Sequence, residues 1–218
     1  MINHFIKNSS TLELIKWLSI ITMFIDHSSY LFFDSNIIMR FIGRFALIGF
    51  SFLIAYHYRF NTHNKSTYKK RIFLFALLSQ YPFNLVFPNE INILFLLWYG
   101  LVIIDNIDLV LHKNKIIQPV VIISAGIVMS MFTGYFFFGL FLIPLFYYIY
   151  QYKITLYFLI LDVLLLNYTF IYAIAGALSI YILYTLHINY RLKRLNKYIF
   201  YWFYPLHLLF LALIKISV

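Results

Sequence analysis

The sequence predicts a single-domain, all-α bundle of about nine helices that cross a membrane, with the N-terminus on the inner side. Three observations carry that prediction. Of 218 residues, 63% are hydrophobic, 22% aromatic and only 11% charged, a balance far from that of a water-soluble domain. The apolar residues fall into runs near the length a helix needs to cross a hydrocarbon core, roughly 20 residues. The basic residues gather between alternate runs, as they do when positive loops are held on the cytoplasmic side.

In chain order the predicted spans are Leu12–Phe33, Ile37–Tyr58, Tyr68–Phe87, Ile91–Leu111, Ile116–Phe132, Gly134–Tyr150, Ile154–Leu166, Thr169–Leu186 and Tyr198–Ser217. The seventh is short, and fusing it with the eighth gives eight spans instead. The basic residues favour nine. With the N-terminus inside, the inner side then holds Lys7 and Lys16, Arg59, Lys65, Lys69, Lys70 and Arg71, Lys113 and Lys115, Lys153, and Arg191, Lys193, Arg194 and Lys197. Only Arg40, Arg44 and Lys215 fall on the outer half. Fusion would put the Arg191–Lys197 segment outside, against the positive-inside rule. The seventh span then reads as a short or broken helix covered by protein. The first run is long enough to span and no small-residue cleavage site follows it, so it reads as a retained helix rather than a signal peptide. No repeat, Gly/Ser linker or low-complexity tail divides the chain, so residues 1–218 read as one domain.

Several function classes drop out. The chain has no cysteine, which excludes disulfides, thiolate metal sites and cysteine nucleophiles. Its formal charge of +10 does not read as a nucleic-acid footprint, because the basic residues sit in loops between apolar runs where they set topology. There is no HExxH cluster, Walker loop, GxGxxG or GxSxG elbow.

The candidate chemistry begins in the first span, LELIKWLSIITMFIDHSSYLFF, where Asp26 and His27 interrupt an apolar run and Lys16 stands near its start. Ionisable groups at membrane depth are costly and mark function by default. Lys16 and His27 are separated by about three helical turns, so they share a face about 16 Å apart along the axis. A cation at one end of a groove and an imidazole deeper in it suit a long anionic cofactor and its general base. Imidazole titrates near neutrality, as a general base requires. The plainer reading of His27 is a buried side chain that ties two helices together. Asp26 points about 100° away from His27 and is expected to pair with a cation on a neighbouring helix, a bent contact with the imidazole being the alternative.

Arg40 and Arg44, at i and i+4, share a face at the start of the second span. Arg44 suits a carbonyl or phosphate oxygen, or neutralisation of Asp26; Arg40 suits an interfacial anchor. The inner basic segments suit a nucleotide cofactor, the setting of topology, or anionic lipids. Gln80 and Asn84 flank Pro82 in a run expected to be interrupted there, and Asn92 opens the fourth span; such groups line a site or pack helices together. Asp162 is a lone acid in the seventh span. His207 follows Pro205 in the last span, where it suits the lining of the same cavity as His27 or a bond to a backbone carbonyl, and Tyr204 nearby suits the supply of a hydroxyl. His57 and His63 read as solvated.

The segments TLELIKWLSIITMFIDH, FIGRFALIGFSFLIAYHY, YKKRIFLFALLSQYPFNLVF, INILF and FYWFYPLHLL follow one another as in the TraX family, which the chain resembles over most of residues 11–111 and 196–212. Residues 113–191 match mainly in hydropathy. That family takes its name from a conjugative protein that acetylates the N-terminus of F-type pilin. It looks like a compact relative of the broader transmembrane acyltransferases, in which a basic residue, ten intervening residues and a histidine mark the active helix. Lys16 and His27 fit that spacing.

The resemblance implies an acetyltransferase of the bacterial cytoplasmic membrane that takes acetyl-CoA from the cytoplasm. The acceptor on the far side would be the N-terminal amine of a pilin or other peptide, with membrane lipids around it and no metal. It implies His27 with Asp26 as the catalytic pair, and Lys16, Arg44 and Arg40 on the acyl donor. His207, Tyr204, Asn92 and Gln80 would lie on the acceptor side. Two departures leave the acceptor open: Phe136 stands where a glycine is expected, and Ile48 and Gly49 stand where a proline follows the arginine motif. The alternatives are O-acetylation of a surface glycan or lipid, or a small transporter or structural membrane subunit in which His27, Asp26 and Asp162 form a relay. No inverted repeat of the transporter kind is visible.

Overall fold

The computed structural model describes residues 5–113, 116–166, 169–194 and 196–217. Among them are nine α-helices and no strand. They are α1 (Ser9–Phe32), α2 (Ile37–Tyr56), α3 (Lys65–Val86), α4 (Ile93–Lys113), α5 (Ile117–Ser130), α6 (Phe136–Tyr148), α7 (Ile154–Leu166), α8 (Phe170–Thr185) and α9 (Lys197–Ser217). Each coincides with one predicted span to within a few residues. The seventh and eighth are separate helices packed on each other rather than one long helix. Lys115, placed on the inner side by the charge argument, lies outside the described residues.

Nine helices are established; nine crossings are not. Among the described residues, two helices are long and apolar enough by themselves to cross a membrane: α2 with its extension to Asn61, and α9. α1 and α3 have the length but carry Glu13, Lys16 and Asp26, or Lys65, Lys69, Lys70 and Arg71. The helices α5, α6, α7 and α8 have only 14, 13, 13 and 16 residues.

Local chemistry explains the helix starts. Asn8 accepts from the Thr11 amide at 2.8 Å, Asn36 from Ile38 at 3.0 Å and Asn64 from Thr67 at 2.9 Å, each satisfying amides that a first turn leaves unpaired. The break expected at Pro82 does not occur. α3 runs through it to Val86, the loss being confined to one backbone bond near the helix end.

α2 is the hub, packing on α1, α4, α6 and α8. Its contact with α1 is close because a side chain is missing where it matters. A Cβ on Gly43 would meet Asp26 Oδ1 at 2.3 Å, and one on Gly49 would meet Ser19 Oγ at 2.3 Å. Two groups of helices radiate from this pair. α1, α2, α4, α3 and α9 contact one another in a ring that the first and last helices close. α5–α8 pack beside it against α2 and α4. The shared core joins Ile15, Ile48, Phe52, Leu101, Leu142 and Phe146.

A seam fastens the chain segment before α1 to the segment after α8. Lys7 Nζ donates to the carbonyls of Leu186 and Tyr184 at 2.9 and 3.1 Å, and Thr11 Oγ1 accepts from the Ile188 amide at 3.1 Å. Lys7 is buried, and desolvation lowers its pKa from 10.5 to about 8.

Candidate functional site

The five-helix ring encloses a cavity of about 480 Å³, within the range of small-molecule sites. Its lining changes along its length. At one end stand Lys16, His57, His63, Arg71 and Lys197, with the polar side chains of Asn61, Thr62, Asn64 and Thr67. The body is apolar, formed by residues such as Phe50, Leu53, Ile72, Phe75 and Leu97. Met23 and Tyr204 also line it. Lys16, Met23 and His27 stand at i, i+7 and i+11 on α1, one face of the helix. On α1 the cavity lining ends at Met23, one turn before His27, which does not itself line it.

The three cations at the mouth are held by aromatic rings. Lys16 Nζ lies 4.9 Å from the Phe200 ring, Lys197 Nζ 5.4 Å from Tyr198, and the Arg71 guanidinium 5.8 Å from both Tyr198 and Tyr201. Lys16 is also paired with Glu13 at 2.6 Å, whose other oxygen is buried without a partner. His57 was expected to be solvated. It is half-buried, lines the cavity and contacts Asn61 at 2.9 Å, because the helix widens into a π-turn over His57–Asn61 that turns these side chains inward.

One turn beyond Met23 and outside the cavity lining, half-buried His27 meets buried His207 of α9. His27 Nδ1 and His207 Nε2 are 2.8 Å apart, with the rings coplanar to within 5°. His207 Nδ1 lies 2.8 Å from the Phe203 carbonyl oxygen. Both nitrogens of His207 are thus engaged by the protein. Tyr204 and Phe87 pack edge-on against the His27 ring at 6.5 and 5.6 Å. The Tyr204 hydroxyl is buried, with the Ile93 backbone as its polar neighbour.

The other expected residues separate from this centre. Asp26 does not turn to His27; its Oδ2 accepts from Arg40 at 2.9 Å, and it also feels the charge of Arg44. Arg44 stacks over Tyr172 of α8 at 4.4 Å, with a buried Nε that has no partner. Arg40 and Arg44 occupy the end of α2 opposite the π-turn and do not line the basic mouth. Gln80 and Asn92 clamp α3 to the start of α4. Asn92 Nδ2 donates to Gln80 Oε1 and to the Ala76 carbonyl, both at 2.8 Å, and Gln80 Nε2 donates to Asn84 and to the Glu90 carbonyl. Buried Asp162 of α7 has one oxygen without a partner and does not line the cavity. Among the described residues no group of three His, Cys, Asp or Glu side chains forms a metal site.

The backbone-carbonyl bond expected of His207 is present, to Phe203, whereas its direct contact with His27 has no local signal in the sequence. Arg71 was visible only as one of four basic residues opening α3. The fold separates them: Lys69 pairs with Asp105, Lys65 lies over Tyr58 and Tyr147, and Arg71 faces the cavity.

No curated protein and no solved structure matches this chain. A family model described as TraX protein does match, over residues 11–215, and the chain belongs to that family.

Proposed function

We propose that this protein is a membrane-embedded acyltransferase that moves an acetyl group from cytoplasmic acetyl-CoA to an acceptor on the far side of the membrane. The observation that carries this reading is the cavity: cationic at its mouth, apolar along its body, and lined at its inner part by Met23 and by Tyr204, which packs edge-on against the His27 ring. The phosphates of the donor would meet Arg71, Lys197 and Lys16, and the apolar walls would receive the acyl-bearing arm. His27 Nε2 takes the proton of the acceptor amine or hydroxyl as that group attacks the thioester carbonyl. The C–S bond then breaks, the acetyl group remains on the acceptor, and the proton on His27 passes to the departing thiolate to give CoA. Family membership supports a pilin or other peptide amine as acceptor. A hydroxyl of a surface glycan or lipid meets the same chemical requirement.

We further propose that the nine helices are nine spans of the bacterial cytoplasmic membrane, with the N-terminus inside. Large apolar side chains stand bare on the outside of the bundle, with Tyr157 70% and Phe170 81% exposed, a surface suited to lipid. The basic residues cluster at alternate loops.

The test is acetyl-CoA binding to the purified protein in nanodiscs, comparing wild type with Lys16→Ala and His27→Ala. Saturable binding, weakened without Lys16 and preserved without His27, is expected. A folded protein that binds no acetyl-CoA up to millimolar concentration overturns the reading in favour of a transporter or structural subunit.

A further inference from the structure

We propose that His207 is a positioning residue that presents His27 to the reaction in one tautomer, through a relay that begins at the Phe203 carbonyl. The proposal rests on the acyltransferase reading for its purpose, but not for its geometry.

The chain of hydrogen bonds has a single neutral solution. A carbonyl oxygen only accepts, so the 2.8 Å contact with Phe203 requires the proton of His207 on Nδ1. A neutral imidazole carries one N–H, which leaves His207 Nε2 with a lone pair. The 2.8 Å contact between His207 Nε2 and His27 Nδ1 then requires the proton of His27 on Nδ1. His27 Nε2 is left unprotonated. That is the atom a general base needs, and the opposite tautomer would block it.

The same bond steadies the next state. Once His27 Nε2 has taken a proton, the ring is cationic and its Nδ1–H donates to a neutral lone pair, a charge-assisted bond of greater strength. The coplanar rings align that donor with its acceptor. Burial of His207, against Phe203 at 5.1 Å between ring centroids, holds the second ring in place. Asp26 supplies none of this, because its carboxylate faces Arg40. The orienting partner is a second imidazole and a helix carbonyl in place of a carboxylate. This also explains why a residue expected on the acceptor side has no free nitrogen.

Two readouts test the proposal. The first does not depend on activity. Protein labelled with ¹⁵N at histidine and held in nanodiscs near neutral pH should show His27 as the Nδ1–H tautomer, its signal identified by loss in His27→Gln. In His207→Phe, which keeps a ring but removes the acceptor, the Nε2–H form should appear. His207→Gln, whose side-chain oxygen still accepts from His27 Nδ1–H, should keep the wild-type tautomer. The second readout is release of the CoA thiol with octylamine as a membrane-soluble acceptor; a chain without cysteine gives no background thiol. His207→Phe should lower kcat about 100-fold with KM for acetyl-CoA unchanged, and His207→Gln should restore kcat to within about tenfold of wild type. Wild-type His27 in the Nε2–H form, or a tautomer that ignores residue 207, overturns the relay. The expected tautomers in a protein that neither binds nor cleaves acetyl-CoA would leave the relay standing and overturn the acyltransferase reading alone.

Discussion

The ring of α1–α4 and α9 and the group α5–α8 are both apolar and both helical, yet their buried polar groups behave differently. In the ring, polar side chains reach across to other elements: Asp26 to Arg40, Asn92 to Gln80, His27 to His207. In α5–α8, serine hydroxyls return to their own helix, as Ser179 does to the Ala175 carbonyl and Ser130 to Ile127, a habit that Ser19 and Ser79 share in the ring, while Tyr148 reaches across to Asp108 of α4. A bond to another helix fixes distance and orientation between elements, whereas a bond to the preceding turn only satisfies a group that would otherwise be stranded. The ring thus pairs side chains among its own helices, whereas α5–α8 is fastened to it from outside. The polar links between the two include Arg44 over Tyr172, Tyr148 donating to Asp108 at 2.6 Å and Tyr99 donating to the Ile122 carbonyl at 2.8 Å.

The contrast breaks if changes in the two groups have the same consequences. The largest expected effect is at the histidine pair. His27→Gln should lower acetyl transfer by about 10²–10⁴-fold while leaving acetyl-CoA affinity intact, read by thiol release alongside calorimetric binding. Leu142 of α6 is fully buried in the shared core, and Leu142→Ala should lower stability by about 2–5 kcal/mol. Below its melting transition that variant should bind acetyl-CoA as wild type does; a large loss of affinity would mean that α6 shapes the cavity after all.

Arg71→Ala should weaken acetyl-CoA about tenfold, the size expected for a single charged hydrogen bond. The loss should shrink at high salt and leave kcat untouched. An unchanged affinity would move the donor phosphates away from the ring. The smallest effect concerns the seam. Burial holds the pKa of Lys7 near 8 in the fold against 10.5 in the unfolded chain. Between those values the unfolded state binds more protons, so stability should rise with pH across that window. Thermal melts of wild type should show the rise, and Lys7→Met should flatten it.

The helices were legible in the sequence because apolar run length is a local signal, and the ends of α7 fall where the runs predict them. The site was legible in its parts. His27 and His207 each stand out as ionisable groups in apolar runs, but they lie 180 positions apart and no local pattern joins them. Asp26 stands about 100° from His27 on the helix, so its pairing with a cation on a neighbouring helix was legible in the sequence, and the partner is Arg40 of α2. Which basic residue of the α3 start faces inward depends on the partners Asp105, Tyr58 and Tyr147, all remote in sequence. The number of membrane crossings was the least legible, since helices of 13 residues are too short to announce themselves by length.

Because α1 and α9 close the ring, the histidine pair is assembled from opposite ends of the folded chain. Synthesis proceeds from the N-terminus, so α1 is made long before α9 exists. Until then His27 has neither its orienting partner nor the Lys197 side of the mouth. A nascent or truncated chain lacking α9 carries Lys16 and Arg71 but neither Lys197 nor an oriented His27. Under the proposed function such a chain would leave the thioester pool untouched, and chemistry would begin only with α9 in place.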